Sequence, residues 1–269
     1  METNAANAAM AKPQVAGSIS ATAYNHPLLQ AEAAAKPGCK CGKLRPPRKF
    51  HTAVGLWLTV FVCVHFSIVL TGLDQQMYEH SVGFVHRALA LLPGAALLMV
   101  LVPMLLQAGS GLYLIAKEGL QYDVKRCDRG GKLRYFLQRW SGLAILAFLL
   151  PHVGMMRGWG ASQVRGAGVP VEAVFASTAA GFHPWSSSTA NAVTMLLLLV
   201  GILGTVFHIA NGAWSGAILW KLVQTDQGKV RMGYVSAVAG LALAVMGCTA
   251  WYAFSLGPAA HTALASTIH

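Results

Sequence analysis

The chain has 269 residues, of which 55% are hydrophobic and only 11% charged, whereas about a quarter of an ordinary soluble chain is charged. With a mean hydropathy of +0.52, this composition excludes a soluble enzyme of one or two domains and fits an integral membrane protein. The net charge of +11 reads as basic loops flanking membrane spans, so no nucleic-acid partner is expected.

Residues 1–50 form an Ala-rich, basic extension expected on the cytoplasmic side. No apolar core follows a basic start, so the opening is not read as a signal peptide. Within it, Gly38-Cys39-Lys40-Cys41-Gly42 offers two thiolates. A closed zinc or iron–sulfur site needs four ligands, and nothing nearby supplies the others, which favours a basic linker. The five cysteines, scattered and odd in number, do not make a disulfide framework.

A membrane helix needs roughly 20 apolar residues. Five stretches qualify: about Ala53 to Leu73, Ala88 to Ala116, Leu137 to Met156, Asn191 to Trp220 and Met232 to Leu256. The second contains Pro93 and Pro103, tolerable where neighbouring groups satisfy the freed carbonyls. None alternates like a membrane β-strand. The expected fold is all-α: an integral membrane bundle of five transmembrane helices over residues 51–258, followed by a short outer tail, 259–269. With the N-terminus inside, sixteen Lys and Arg fall on the inner side, between Lys36 and Lys49, Lys117 and Arg139, and Lys221 and Arg231, against Arg87, Arg157 and Arg165 outside. That asymmetry sets the N-terminus in the cytoplasm.

Ionisable groups inside a bilayer are costly, so each is a functional candidate. His65, His152 and His208 lie within spans; His26, His51, His80, His86, His183, His261 and His269 sit near helix ends, in loops or in tails. At about 1.5 Å per residue, His65 lies roughly 14 Å below Asp74 and His152 roughly 8 Å below Arg157, while His208 lies roughly 36 Å below Pro184. His65 and His152 therefore share an upper level and His208 belongs to a lower one. Two imidazoles at one level on separate helices suit the two faces of a haem; packing histidines or a proton relay are the competing readings. Gly55 and Gly142 each stand ten residues before an upper histidine, where a small residue admits either a macrocycle or another helix.

These residues sit in longer strings. They are Phe50-His51-Thr52-Ala53-Val54-Gly55 leading to His65, Gln107-Ala108-Gly109-Ser110-Gly111-Leu112-Tyr113, Tyr135-Phe136-Leu137-Gln138-Arg139-Trp140-Ser141-Gly142 leading to His152, and Phe207-His208-Ile209-Ala210-Asn211-Gly212-Ala213-Trp214-Ser215. From about His51 to the end of the fifth helix, the chain resembles the cytochrome b membrane-anchor subunit of succinate:quinone oxidoreductases. The likeness is to the five-helix, single-polypeptide class shared with some quinol:fumarate reductases.

The resemblance implies b haem between His65 and His152, and a second haem between helices II and IV. His208 matches the helix IV ligand, but the helix II position is Gln107 instead of His, and a carboxamide is the weaker donor for iron. The lower site is then empty, held by His208 alone, or completed by another side chain such as Met104 or His51. The resemblance also implies flavoprotein and iron–sulfur subunits docked on the cytoplasmic side of a bacterial inner membrane. Electrons would pass through this subunit to quinone. The chain has no dinucleotide fingerprint and no cysteine cluster of its own, so it is not expected to oxidise succinate alone.

Proton-exchanging candidates for a quinone site are Asp74, Glu79, His80 and His86 on the outer side; solvated loop residues are the alternative. Arg139, Ser141 and Trp214 are the inner candidates, as contacts to haem propionates or a quinone carbonyl; helix capping is the alternative there. Some fumarate reductases of this class carry a glutamate two residues before the helix IV ligand. Val206 stands there in this chain, which favours succinate oxidation. The competing functions are the cytochrome b anchor of another quinone-linked dehydrogenase or hydrogenase, and a haem-free transporter or structural anchor.

Overall fold

A computed structural model describes residues 46–91, 94–95, 97–120, 132–156, 173–183 and 187–255. The Cys39 and Cys41 pair, most of the 1–50 extension, the basic residues from Lys125 to Arg129, Arg157, Arg165, Pro184 and the 259–269 tail lie outside the described residues. All elements described are helical: α1 Pro46–Leu70, α2 Gln75–Ala90, α3 Val102–Glu118, α4 Lys132–Met156, α5 Val174–Phe182, α6 Ser188–Leu219 and α7 Asp226–Ser255. A short 3-10 turn, Thr71–Leu73, extends α1, and a π turn, Leu97–Leu101, leads into α3. Five helices are long and apolar enough to cross a membrane: Pro46–Leu73, Leu97–Glu118, Leu133–Gly154, Ser188–Leu219 and Asp226–Ser255. The number of spans and the all-α class agree with the sequence reading.

The second span starts later than its apolar run suggests. Residues Ala88 to Ala116 were expected as one helix, but α2 stops at Ala90 and the path turns at Gly94, whose φ of 81° is open to glycine and strained for other residues. Pro103 then falls within the first two positions of α3, where a missing N–H costs little. Four residues before it, the Met99 carbonyl loses its α-helical donor, and Trp57 Nε1 of α1 donates to that oxygen at 2.8 Å. The π turn and the indole together accommodate the proline.

Helices α6 and α7 pack lengthwise, as do α4 and α6, and α1 lies against α3 and α7. Small residues set the spacing. A Cβ built at Gly240 of α7 would stand 2.9 Å from Ala210 Cβ of α6, and one at Gly247 would stand 2.7 Å from Ile202. Without a hydrophobic force between helices in lipid, such close approach is what holds them. Trp251 Nε1 adds an interhelical hydrogen bond to the Met195 carbonyl at 2.9 Å.

Two connecting segments expected as loops are helices. α2 is capped by Asp74, whose Oδ1 accepts from Met77 N at 2.7 Å. With α5 it closes the end of the bundle at which α1 finishes, around an aromatic cluster. Phe254, 1% exposed, meets the Tyr78 ring at 5.1 Å, Phe175 at 5.4 Å and Phe182 at 5.6 Å. Gly72 lies directly against it, since a Cβ there would come within 2.4 Å of the Phe254 ring. The Tyr78 hydroxyl is 3.0 Å from Thr178 Oγ1.

Burial pushes the Tyr78 phenol above its ordinary value of 10.0, with the Thr178 hydrogen bond pulling weakly the other way. Because the folded form holds its proton longer, this group's contribution is constant below about pH 10 and declines as pH rises past that value. Phe254→Ala empties the centre of the cluster. It is expected to cost about 3–5 kcal/mol, read as a lowered midpoint in thermal unfolding of the detergent-extracted chain, and an unchanged midpoint would contradict this packing.

Candidate functional site

The interior of α1, α3, α4 and α6 carries two levels of polar side chains in otherwise apolar surroundings. At the upper level, His65 of α1 and His152 of α4 stand side by side, ring centroids 6.3 Å apart and planes at 78°. Each is braced from its own helix by a phenylalanine four residues earlier, the spacing that puts two side chains on one helix face. Phe61 stacks on His65 at 5.7 Å, and Phe148 stacks on His152 at 5.0 Å. Phe148 in turn lies over Gly201 of α6, where a Cβ would sit 2.2 Å from the ring. His152 Nδ1 is buried without a hydrogen-bond partner. The shared depth inferred from the sequence is therefore matched by direct proximity.

The lower level holds His51 of α1, Gln107 and Ser110 of α3, Gln138 and Ser141 of α4, and His208 and Asn211 of α6. Ser141 Oγ lies 3.1 Å from His208 Nδ1, and Ser110 Oγ lies 2.8 Å from His51 Nδ1. Gln107 Nε2 is 3.1 Å from His51 Nε2. Gln138 Nε2 donates to the His208 carbonyl at 3.2 Å, and its Oε1 accepts from Asn211 Nδ2 at 2.7 Å. Gln107 Oε1 is buried and has no partner.

The glycines noted in the sequence serve this level. A Cβ at Gly55 would meet Gln107 Nε2 at 3.1 Å, and one at Gly142 would meet His208 Cε1 at 3.2 Å. Since Gly142 precedes His152 by ten residues on one helix, the levels are about 15 Å apart along α4. Because the chain breaks between α2 and α3, a residue count from Arg87 gives no depth for Gln107, and contact with Gly55 is what locates it at the lower level.

Among the described residues, no hydrogen bond joins the quinone and proton candidates to the upper histidines. Asp74 caps α2, and Glu79 Oε1 accepts from Gln75 Nε2 at 3.0 Å. His80 and His86 are exposed on α2. Trp214 Nε1 is committed to the Lys229 carbonyl at 3.0 Å, and the Arg134 guanidinium lies over its ring at 4.4 Å. Among the described residues, no three His, Cys, Asp or Glu side chains converge as a protein-only metal site; a porphyrin, by contrast, takes only axial donors from the protein. An open apolar groove of about 510 Å³ runs between the start of α1 and α3, lined by residues including Phe50, Leu105, Leu106, Ser110 and Tyr113.

Glu118 was not singled out in the sequence, and it holds the end of the bundle where α1 begins. Its carboxylate accepts from Arg48 Nε and Nη2 at 2.9 and 2.7 Å and from Arg139 Nη2 at 2.6 Å. Tyr135 joins through its hydroxyl, which contacts both Glu118 and Arg139. With the carboxylate 3% and the Arg139 side chain 10% exposed, the network joins α1, α3 and α4 through one buried charge. Arg139 is thus occupied by Glu118 and by the Gly119 carbonyl at 2.6 Å. A lone acidic residue closing an apolar run, directly after Lys117, is the signal in the sequence that points to it. Glu118→Ala leaves the nearly buried Arg139 guanidinium without its carboxylate, an expected loss of about 3–5 kcal/mol, measurable as a fall in thermal stability larger than that of Glu118→Gln. Equal stability of Glu118→Ala and wild type would contradict the assignment.

No family model matches the chain, and no solved structure matches it. The chain is similar to the succinate dehydrogenase cytochrome b558 subunit of Bacillus subtilis (strain 168), 26% identical over 159 residues that cover 58% of this chain and 69% of that one. The resemblance carried by the sequence strings and this likeness point to proteins of the same kind.

Proposed function

We propose that the chain is the membrane-anchoring cytochrome b subunit of a succinate:quinone oxidoreductase, in which His65 and His152 would hold a b haem. The observation that carries this reading is the spacing of the two rings. Two metal–nitrogen bonds of about 2 Å, with half an imidazole beyond each, come to roughly 6 Å between ring centres, against 6.3 Å here. The donor set also fits: imidazole suits iron, and His152 Nδ1 is a buried polar atom without a partner. Bound there, the haem would supply one-electron transfer between an iron–sulfur partner and quinone.

The chain's own residues orient and insulate. Phe61 and Phe148 fix the ring planes from one side of each histidine, and Gly201 gives Phe148 the room to do so. Apolar walls shield the pair from water and leave a ring nitrogen of each imidazole to donate a lone pair. For quinone, the groove beside Phe50, Ser110 and Tyr113 has the size and apolar lining of a small-molecule site. The exposed His80 and His86 could exchange protons with solvent at the other end. The flavoprotein and iron–sulfur subunits would dock at the basic, cytoplasmic face of a bacterial inner membrane.

A reduced-minus-oxidised spectrum of the full chain in its native membrane tests the reading. Wild type is expected to show a b-type α-band, and His65→Ala or His152→Ala to lose the upper-level contribution while the protein still inserts. A colourless, correctly inserted wild type would favour a haem-free anchor or transporter.

A further inference from the structure

α2 is packed against the bundle along one side. Tyr78 seats it on the Phe254 ring at 5.1 Å, and Val82 packs against the same cluster. The opposite side is exposed, and it divides lengthwise into two stripes. At about 100° per residue, Gln76, His80 and Arg87 fall together as a polar stripe. Beside it, Met77, Phe84, Ala88 and Leu91 share one narrow sector. Three of these are large and uncovered: Met77 is 58%, Phe84 63% and Leu91 81% exposed. One exposed apolar side chain needs no explanation, whereas a row of them along a single stripe marks a contact surface.

The place of α2 in the chain identifies the contact. It joins the end of the first span at Leu73 to the start of the second at Leu97, so both its ends belong to one end of the bundle. Its 16 residues are roughly 24 Å long. The turn into the second span opens at Gly94, whose carbonyl accepts from Leu98 N at 3.0 Å. From Ala90 to Gly94 the chain reaches at most about 14 Å. That is too short for a helix standing away from the bundle to return, so α2 runs across the bundle end. Its apolar row also continues into the exposed apolar surface of the spans, through Leu73 at one end and Leu97 and Leu98 at the other.

We propose that α2 is an interfacial helix whose Met77–Phe84–Leu91 row is embedded in the phospholipid leaflet, with the Gln76–His80–Arg87 stripe turned to headgroups and water. A helix with one apolar and one polar flank lies in the plane of that boundary. Arg87 suits it, since it stands one turn from both Phe84 and Leu91. Its apolar stem covers the row while the guanidinium reaches phosphate oxygens. The helix is then held from two sides, by the Phe254 cluster and by lipid. The leaflet thereby takes part in closing the bundle end above His65 and His152. Nothing in this inference depends on a bound haem, so it stands apart from the cytochrome b reading.

The test uses the full chain in its native membrane, prepared as fragments so that both faces meet solvent. A lipid-soluble diazirine photolysed in the bilayer is expected to label Met77 and Phe84 of the wild type, located by peptide mass spectrometry, and to leave Gln76 and His80 unlabelled. A charged maleimide confined to water gives the complement. His80→Cys is expected to react with it and Phe84→Cys to escape it, each site being read in its own peptide so that the native cysteines do not interfere. Phe84→Cys reacting as fast as His80→Cys puts the row in water and overturns the proposal. A row that neither reagent reaches is covered by protein, a second copy or a partner subunit, which overturns it equally. The wild-type diazirine pattern decides the matter if a variant fails to insert.

Discussion

The juxtaposition of His65 and His152 is the contact on which the functional account depends. Two titratable rings meet in the interior of an apolar bundle, 6.3 Å apart, where neither gains anything from water. Such groups are costly in a membrane interior and mark functional candidates. Their pose is set by layers of packing: phenylalanines bracing each ring, a glycine admitting one of those phenylalanines, and the α4–α6 contact that brings the glycine there. Precise placement of the two rings thus rests on the least reactive residues of the site.

Below this pair the governing physics changes from packing to hydrogen-bond direction. The hydroxyls of Ser110 and Ser141 lie against Nδ1 of His51 and His208. Gln107 Nε2 meets His51 Nε2, while Asn211 and a backbone carbonyl complete Gln138. At the base of the bundle, charge takes over. Glu118 gathers Arg48, Arg139 and Tyr135, so α1, α3 and α4 share one ion network at 3% exposure of the carboxylate. At the opposite end, α2 and α5 close over Phe254. Each end of the bundle and each level of its interior is fixed by a different interaction.

The number of spans was legible because each apolar run exceeds the thickness of a bilayer. The two-level arrangement was legible because helical rise converts residue counts into depth. The start of the second span was not, since hydropathy cannot distinguish the end of α2 from the beginning of α3, and the turn depends on the backbone of Gly94. The roles of Gly55 and Gly142 were half legible: their small size was evident, but their partners, Gln107 and His208, belong to other helices. Most of the lower level was present as a local repeat. Gln107-x-x-Ser110-Gly111 and Gln138-x-x-Ser141-Gly142 have the same spacing, and each serine returns its hydrogen to the glutamine three residues back. What the repeat could not reveal is that one carboxamide finds two partners and the other only one, because that difference arises in tertiary contacts.

The most direct measurement on the central pair is low-temperature electron paramagnetic resonance of the oxidised full chain in its native membrane. A haem held between His65 and His152, whose ring planes stand at 78°, would have low-spin ferric iron with a strongly anisotropic g-tensor. The account predicts that signal in wild type and its loss in His152→Ala. A spectrum holding only high-spin iron, or no haem signal from correctly inserted protein, would contradict it.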